Sequence, residues 1–100
     1  MGSIEKKDRI NQLFDIYEKL FTEHQIQIFQ SYYQDDLSLK EIAEDFDVSR
    51  NAIHDLLKRV EVLLEDYESK LHLLDKINEI EKIVEKHEDI KNEIMRVLNR

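Results

Sequence analysis

The sequence predicts an all-α protein, and three observations carry that reading. The 100 residues include no proline and a single glycine, which leaves almost nothing from which to build β-hairpins. Apolar residues, 41% of the chain, recur three and four positions apart over most of its length, the period of one buried helical face. Two of these periodic stretches open on a capping-box pattern, Thr22 with Gln25 and Ser38 with Glu41. The architecture that follows is a helix-turn-helix domain in residues 1–60 with a long helical extension, residues 61–100, used for dimerisation.

The first helix is expected over residues 4–21, where Ile10, Leu13, Phe14, Tyr17 and Phe21 share one face. Met1–Ser3 receive no structural role. Thr22 caps a second helix whose inner face is Ile26, Phe29 and Tyr33, and Asp35-Asp36 ends it. The aromatics crowded here, Phe14, Tyr17, Phe21, Phe29, Tyr32 and Tyr33, read as core, because they fall at helical spacing without basic neighbours.

The stretch from Ser38 to Arg59, SLKEIAEDFDVSRNAIHDLLKR, is the functional centre of the chain. Ser38 caps a short helix with Ile42 and Phe46 on its buried face, and Ala43 beside them lets a second helix cross closely. Asp47-Val48 breaks the pattern, with Val48 expected to plug the angle between the two helices. Asp47 stands where backbone with φ > 0 is expected, a region Asp tolerates better than most residues. Ser49 caps the next helix, which buries Ile53, Leu56 and Leu57. This is the helix-turn-helix pattern, with its second helix placed to enter a DNA groove.

Charge supports the same placement. The formal charge is −8, with residues 1–37 and 60–100 both acidic. Within 50–59, however, Arg50, Lys58 and Arg59 face only Asp55, so the sole locally basic segment is the second helix of the motif. Ser49 and Arg50 are placed to hold a phosphate at the helix N-terminus. Asn51, His54 and Asp55 point away from the Ile53–Leu57 face towards a groove, and Lys58 and Arg59 suit backbone phosphates one turn on.

Beyond the motif, Ile53, Leu57, Val60, Leu64, Tyr67, Leu71 and Leu74 alternate spacings of four and three, a heptad pattern. The helix is therefore expected to run on to at least Tyr67. Leu57, Leu64, Tyr67, Leu71 and Leu74 form the expected homodimer interface, since so short a chain covers such a stripe poorly by itself. After Leu74 the spacing slips to Ile77, Ile80 and Ile83, which predicts a kink or a change of partner. His87-Glu88-Asp89 then interrupts the apolar face, and Ile90, Ile94, Val97 and Leu98 resume it in a terminal helix folding back.

The motif resembles the fourth-region helix-turn-helix of bacterial sigma factors. More closely, LFDIYEKLFTEHQ (13–25), YYQDDLSLKEIAEDFDVSRNAIHDLLKR (32–59) and LLEDYESKLHLL (63–74) are similar in order and spacing to the YlxM/p13 family, UPF0122. The resemblance implies a sigma region 4-like DNA-binding fold with a helical C-terminal dimerisation subdomain. It further implies a regulatory role, with a link to the signal recognition particle pathway drawn from gene neighbourhood. At Asn51, His54 and Leu56 the chain departs from the Gln, Tyr and Asn common in the family, so specific base contacts are not carried over.

Other classes of function find little support. Without cysteine there are no disulfides, no thiolate chemistry and no cysteine-ligated zinc. His24, His54, His72 and His87 show no metal-ligand spacing, and no Gly-rich loop is present to cradle a nucleotide phosphate. Carboxylate pairs such as Asp35-Asp36 and Glu65-Asp66 read as solvated faces in a chain that is 38% charged. A non-enzyme is expected, with no cofactor, metal or small-molecule substrate. No apolar run approaches the roughly 18 residues of a membrane span, and no signal peptide is recognised, so a cytoplasmic location is expected. Two readings remain: a homodimeric DNA-binding regulator, or a protein- or RNA-binding accessory factor of the signal recognition particle with the motif as scaffold.

Overall fold

A computed structural model describes residues 4–100, which form six α-helices with no strand among them. Met1–Ser3 lie outside the described residues. Helix α1 (Ile4–Tyr17) leads through a 3-10 turn at Glu18–Leu20 into α2 (Glu23–Tyr33). Helices α3 (Leu39–Phe46) and α4 (Arg50–Leu71) form the central motif, and α5 (Leu73–Val84) and α6 (Glu88–Leu98) follow. The molecule is elongated, 49 Å along its main axis against 26 and 25 Å across.

The expected first helix, 4–21, closes early. Phe21 is extended and Thr22 adopts the β-region backbone of an N-cap, so the preceding turn tightens to 3-10 and leaves Leu20 exposed. The Thr22 capping box forms as expected, with the Gln25 N–H donating to Thr22 Oγ1 at 3.2 Å and the Thr22 N–H to Gln25 Oε1 at 2.9 Å.

Helix α4 is the spine on which the others pack. Ile53, Leu57, Val60 and Leu64 are buried along one stripe, covered by α1, α2 and α3. Around them an aromatic layer links the first two helices. Phe14 stacks on Phe29 at 3.9 Å and Phe29 on Tyr33 at 4.5 Å, while Tyr67 meets Phe21 and Tyr17 at 5.8 Å. Phe14, Tyr17, Phe21, Phe29 and Tyr33 are core, as expected, and Tyr67 packs against them. The inner face of α2 is broader than Ile26, Phe29 and Tyr33: Ile28 is also fully buried, and Ile26 only partly.

This packing corrects the expected dimer seam. Leu57 and Leu64 have no exposed surface, Leu74 is buried, and Tyr67 is partly covered by the two aromatic rings it meets. Leu57, Leu64 and Leu74 belong to the core of the protomer, and Tyr67 packs against it. Of the five residues assigned to the seam, only Leu71 is exposed, at 46%. A heptad stripe identifies a face that gets buried, and here the chain's own α1 and α2 bury most of it. The division expected at residue 60 also falls inside α4, which crosses it unbroken with Val60 and Leu64 in one core cluster.

The helix breaks instead at His72, ahead of the kink expected after Leu74. His72 takes left-handed backbone (φ 54°, ψ 32°) and ends α4 while opening α5. Its side chain caps neither helix; a buried carboxylate from the preceding turn does so. Glu68 Oε1 accepts the Leu74 N–H at 3.0 Å and the Tyr17 hydroxyl at 2.7 Å, and Oε2 accepts the Asp75 N–H at 3.2 Å. Those amides are the orphan donors of a helix N-terminus, where the dipole also favours negative charge. Burial pushes the Glu68 carboxyl up, yet the hydrogen bonds from Leu74, Tyr17 and Asp75, with Arg9 further off, hold it below its ordinary range. The Tyr17 hydroxyl is pushed up to about 12 by burial and by donating to that carboxylate.

A second buried carboxylate on α4, Glu61, lies 3.4 Å from the Lys6 ammonium. Burial, followed by the Glu61 charge, pushes the Tyr33 hydroxyl well up. Arg9 grips Glu65 with two hydrogen bonds of 2.8 and 3.0 Å, a further tie between α1 and α4. Both of those side chains are half-exposed, so this pair contributes at most about 1 kcal/mol.

Glu68 sets an expected outcome for stability. Glu68→Ala leaves two amides and a hydroxyl without their acceptor and should cost about 2–4 kcal/mol, read by urea denaturation. Because the carboxyl is held below its ordinary range, its contribution is complete above the ordinary carboxylate pKa. It is lost as pH falls through the lower folded value. The difference between wild type and Glu68→Gln should therefore be constant above the ordinary carboxylate range and shrink as pH falls below it into strongly acid solution.

Candidate nucleic-acid interface

The motif is set by two caps and one left-handed residue. Ser38 Oγ accepts the Glu41 N–H at 3.1 Å, and Glu41 Oε1 accepts the Ser38 N–H at 3.1 Å. The Ser38 backbone N–H, then its hydroxyl, holds the Glu41 carboxyl below its ordinary range. Helix α3 ends with Asp47 in the left-handed region (φ 55°, ψ 47°). The Val48 N–H donates to the Ala43 carbonyl at 3.0 Å and the Asp47 N–H to the Glu44 carbonyl at 3.3 Å, a Schellman ending. Asp does at this turn what glycine does in many others, as expected.

Val48 does not fill the angle of the motif, contrary to expectation. It is 42% exposed, and the buried residues at the crossing of α3 and α4 are Ile42, Ala43 and Ile53. Once the Val48 amide is committed to Ala43, its side chain is turned to solvent. Ser49 then caps α4, its Oγ accepting the Ala52 N–H at 3.0 Å.

With Ile53 and Leu57 held in the core, the opposite side of α4 faces outward by helical period. Ser49, Arg50, Asn51, Asp55, Lys58 and Arg59 are exposed, and His54 is half-exposed. Four of these seven line a single open groove of about 610 Å³ at the start of α4, namely Ser49, Arg50, Asn51 and His54. Asp55, Lys58 and Arg59 are outside this lining, the two cations one turn further along. The fifth lining residue is Leu39, the first of α3. It is apolar and stands three and seven residues before Ile42 and Phe46, so by period it reads as part of the buried face of α3, and it is in fact partly packed against the core.

The electrostatics of α4 differ between its two ends. Near its C-terminus Lys70 is bound to Asp66 at 2.9 Å. Among the described residues Arg50, Lys58 and Arg59 form no ion pair, so their charge is offered to solvent. His54 Nδ1 lies 3.7 Å from Asp55 Oδ1.

Glu68, His72 and Asp75 bring one potential metal ligand each to within 4.8 Å of one another, a juxtaposition the histidine spacings did not reveal. Both Glu68 oxygens are already engaged by the α5 amides and Tyr17, so a cation there would compete with the cap that holds the elbow.

The family model described as "Putative helix-turn-helix protein, YlxM / p13 like" (UPF0122) matches residues 4–98. A UPF0122 protein of Bacillus mycoides (strain KBAB4) is 50% identical over 90 residues, which is 90% of this chain and 82% of the relative. Another, from Bacillus thuringiensis (strain Al Hakam), is 53% identical over 83 residues, 83% of this chain and 76% of the relative. Among the described residues no helix is long and apolar enough to cross a membrane.

The turn itself can be tested by stability. Asp47→Gly removes the Cβ from a left-handed position and should be neutral or stabilising by up to about 1 kcal/mol. Asp47→Val, a β-branched residue in the same backbone, should destabilise by more than about 1 kcal/mol. Thermal denaturation of the two variants should give opposite displacements from wild type.

Proposed function

The chain belongs to the UPF0122 family of YlxM/p13-like helix-turn-helix proteins, and from that premise we propose that it is a homodimeric, double-stranded-DNA-binding regulator. The observation that carries the reading is the outward face of the first half of α4. Arg50, Lys58 and Arg59 are exposed and unpaired among the described residues, on a chain whose formal charge is −8. On such a chain a basic strip at the second helix of this motif is an electrostatic footprint. Arg50, Lys58 and Arg59 take phosphates, while Asn51, with Asp55 beside it, reads base edges in the major groove. Three cations make a small footprint per protomer, so affinity for DNA is modest and falls steeply with salt. A sigma region 4-like mode of docking follows from the motif and from the family resemblance.

Dimerisation is assigned to the C-terminal helices. Leu71, Leu73, Ile83, Ile90, Val97 and Leu98 are all exposed large apolar side chains, Ile83 to 74%. They lie beyond or at the end of α4, away from the recognition half. These side chains are what a second copy would cover, and a second copy doubles the number of phosphate contacts.

Two measurements test the reading. In fluorescence anisotropy at low salt, Lys58→Ala or Arg59→Ala should weaken binding to every duplex alike and flatten the logarithmic salt dependence by about 0.9. Asn51→Ala should instead relax preference at one or two base pairs, by about 1–3 kcal/mol each. Absence of binding at tens of micromolar protein would leave the accessory-factor reading, with a protein or RNA of the signal recognition particle as partner. In sedimentation, the wild type should be dimeric at micromolar concentration. Ile83→Glu should shift it towards monomer with unchanged helical content; a wild-type monomer would remove the dimer from the account.

A further inference from the structure

The groove at the start of α4 contains one histidine. His54 lines it with Leu39, Ser49, Arg50 and Asn51, and its side chain is 45% exposed. Arg50 and Lys58 are each one turn away on the same side of the helix. Asp55 is the nearest carboxylate, at 3.7 Å from Nδ1. Across the groove α3 contributes Leu39, followed in the chain by Lys40 and by Glu41, whose carboxylate is tied to the Ser38 N–H. Among the described residues the lining takes nothing from α1 or α2. The charged groups nearest His54 along α4 are therefore Arg50, Asp55 and Lys58, and those next to Leu39 along α3 are Lys40 and Glu41.

With His54 neutral, residues 50–59 carry Arg50, Lys58 and Arg59 against Asp55, a net charge of +2. Protonation gives Asp55 a cation within 4 Å on its own helix and raises the face to +3. Histidine is the side chain whose ordinary titration falls between about pH 5 and 8. Resting on the DNA reading above, we propose that His54 is a pH-dependent phosphate contact, so that this protein holds duplex DNA more tightly as pH falls. The imidazolium donates to a backbone phosphate oxygen from the groove and partly offsets the repulsion between Asp55 and the same strand. The neutral ring makes no ionic contact. Since phosphate selects the protonated form, binding takes up as much as one proton per protomer.

One additional phosphate contact is worth roughly fivefold in affinity at 0.15 M salt and steepens the logarithmic salt dependence by about 0.9. The test is anisotropy of a short duplex of random sequence with the full chain, over a salt series at about pH 6 and about pH 8. Wild type, His54→Gln and His24→Gln are compared, each by the ratio of its own affinities at the two pH values. His24 is a control on α2, edge-on to Phe46 and outside the groove lining. Wild type and His24→Gln should bind several-fold more tightly at the lower pH with the steeper salt slope, and His54→Gln should show neither change. Equal wild-type affinity at both pH values, or the same pH ratio in His54→Gln, overturns this inference while the DNA reading stands. No binding at either pH overturns both.

Discussion

Everything in this molecule depends on α4 burying one stripe while presenting another. Ile53, Leu57, Val60 and Leu64 lie under α1, α2 and α3 with essentially no exposed surface. Because a helix turns once every 3.6 residues, fixing that stripe fixes the outward direction of Asn51, Asp55, Lys58 and Arg59. The proposed function therefore rests on core packing. A cavity under Leu57 would cost about 2–5 kcal/mol and would also release the rotation of the helix that carries the cations. The alanine and left-handed aspartate before α4 serve the same constraint, since Ala43 permits close approach and Asp47 sets the turn.

The other end of α4 is governed by a different interaction. The chain could have continued as one helix through residue 72, and the apolar spacing across that point reads as though it does. What supports the elbow is Glu68, whose two oxygens take the first free amides of α5 and a hydroxyl from α1. One carboxylate thus joins three helices. It supports the left-handed conformation at His72, which costs a β-carbon-bearing residue about 1–2 kcal/mol in isolation. Beyond the elbow, α5 and α6 carry five large apolar side chains that the protomer leaves exposed, Leu73, Ile83, Ile90, Val97 and Leu98.

Much of this was legible in the sequence, and the failures share a cause. Caps are local, so Thr22, Ser38 and Ser49 could be read from three-residue spacings, and the left-handed Asp47 from the turn it had to make. The seven residues of the candidate interface follow from the motif and the helical period, and four of them meet in one groove. Periodicity says that a face is buried without saying by what. Leu57 and Leu64 therefore read as a seam for a partner helix, although α1 and α2 cover them. The break at His72 was displaced because its cause lies in no local breaker: SKLHLLDK contains neither Gly nor Pro, and the stabilising carboxylate comes from one turn earlier. Leu39 and Val48 show the same limit on a smaller scale. Each is apolar, and only the completed turn shows that one edges a groove and the other faces solvent.

The proposed contact with DNA is the outward face of α4 between Ser49 and Arg59. It is tested most directly by mapping backbone amide chemical shifts of the isotope-labelled protein during titration with a short duplex at low salt. This contact predicts that the largest perturbations fall on Ser49, Arg50, Asn51, His54, Asp55, Lys58 and Arg59, with smaller ones at Leu39 and Lys40 across the groove. Perturbations concentrated on α5 and α6, or a spectrum unchanged at saturating duplex, would contradict it.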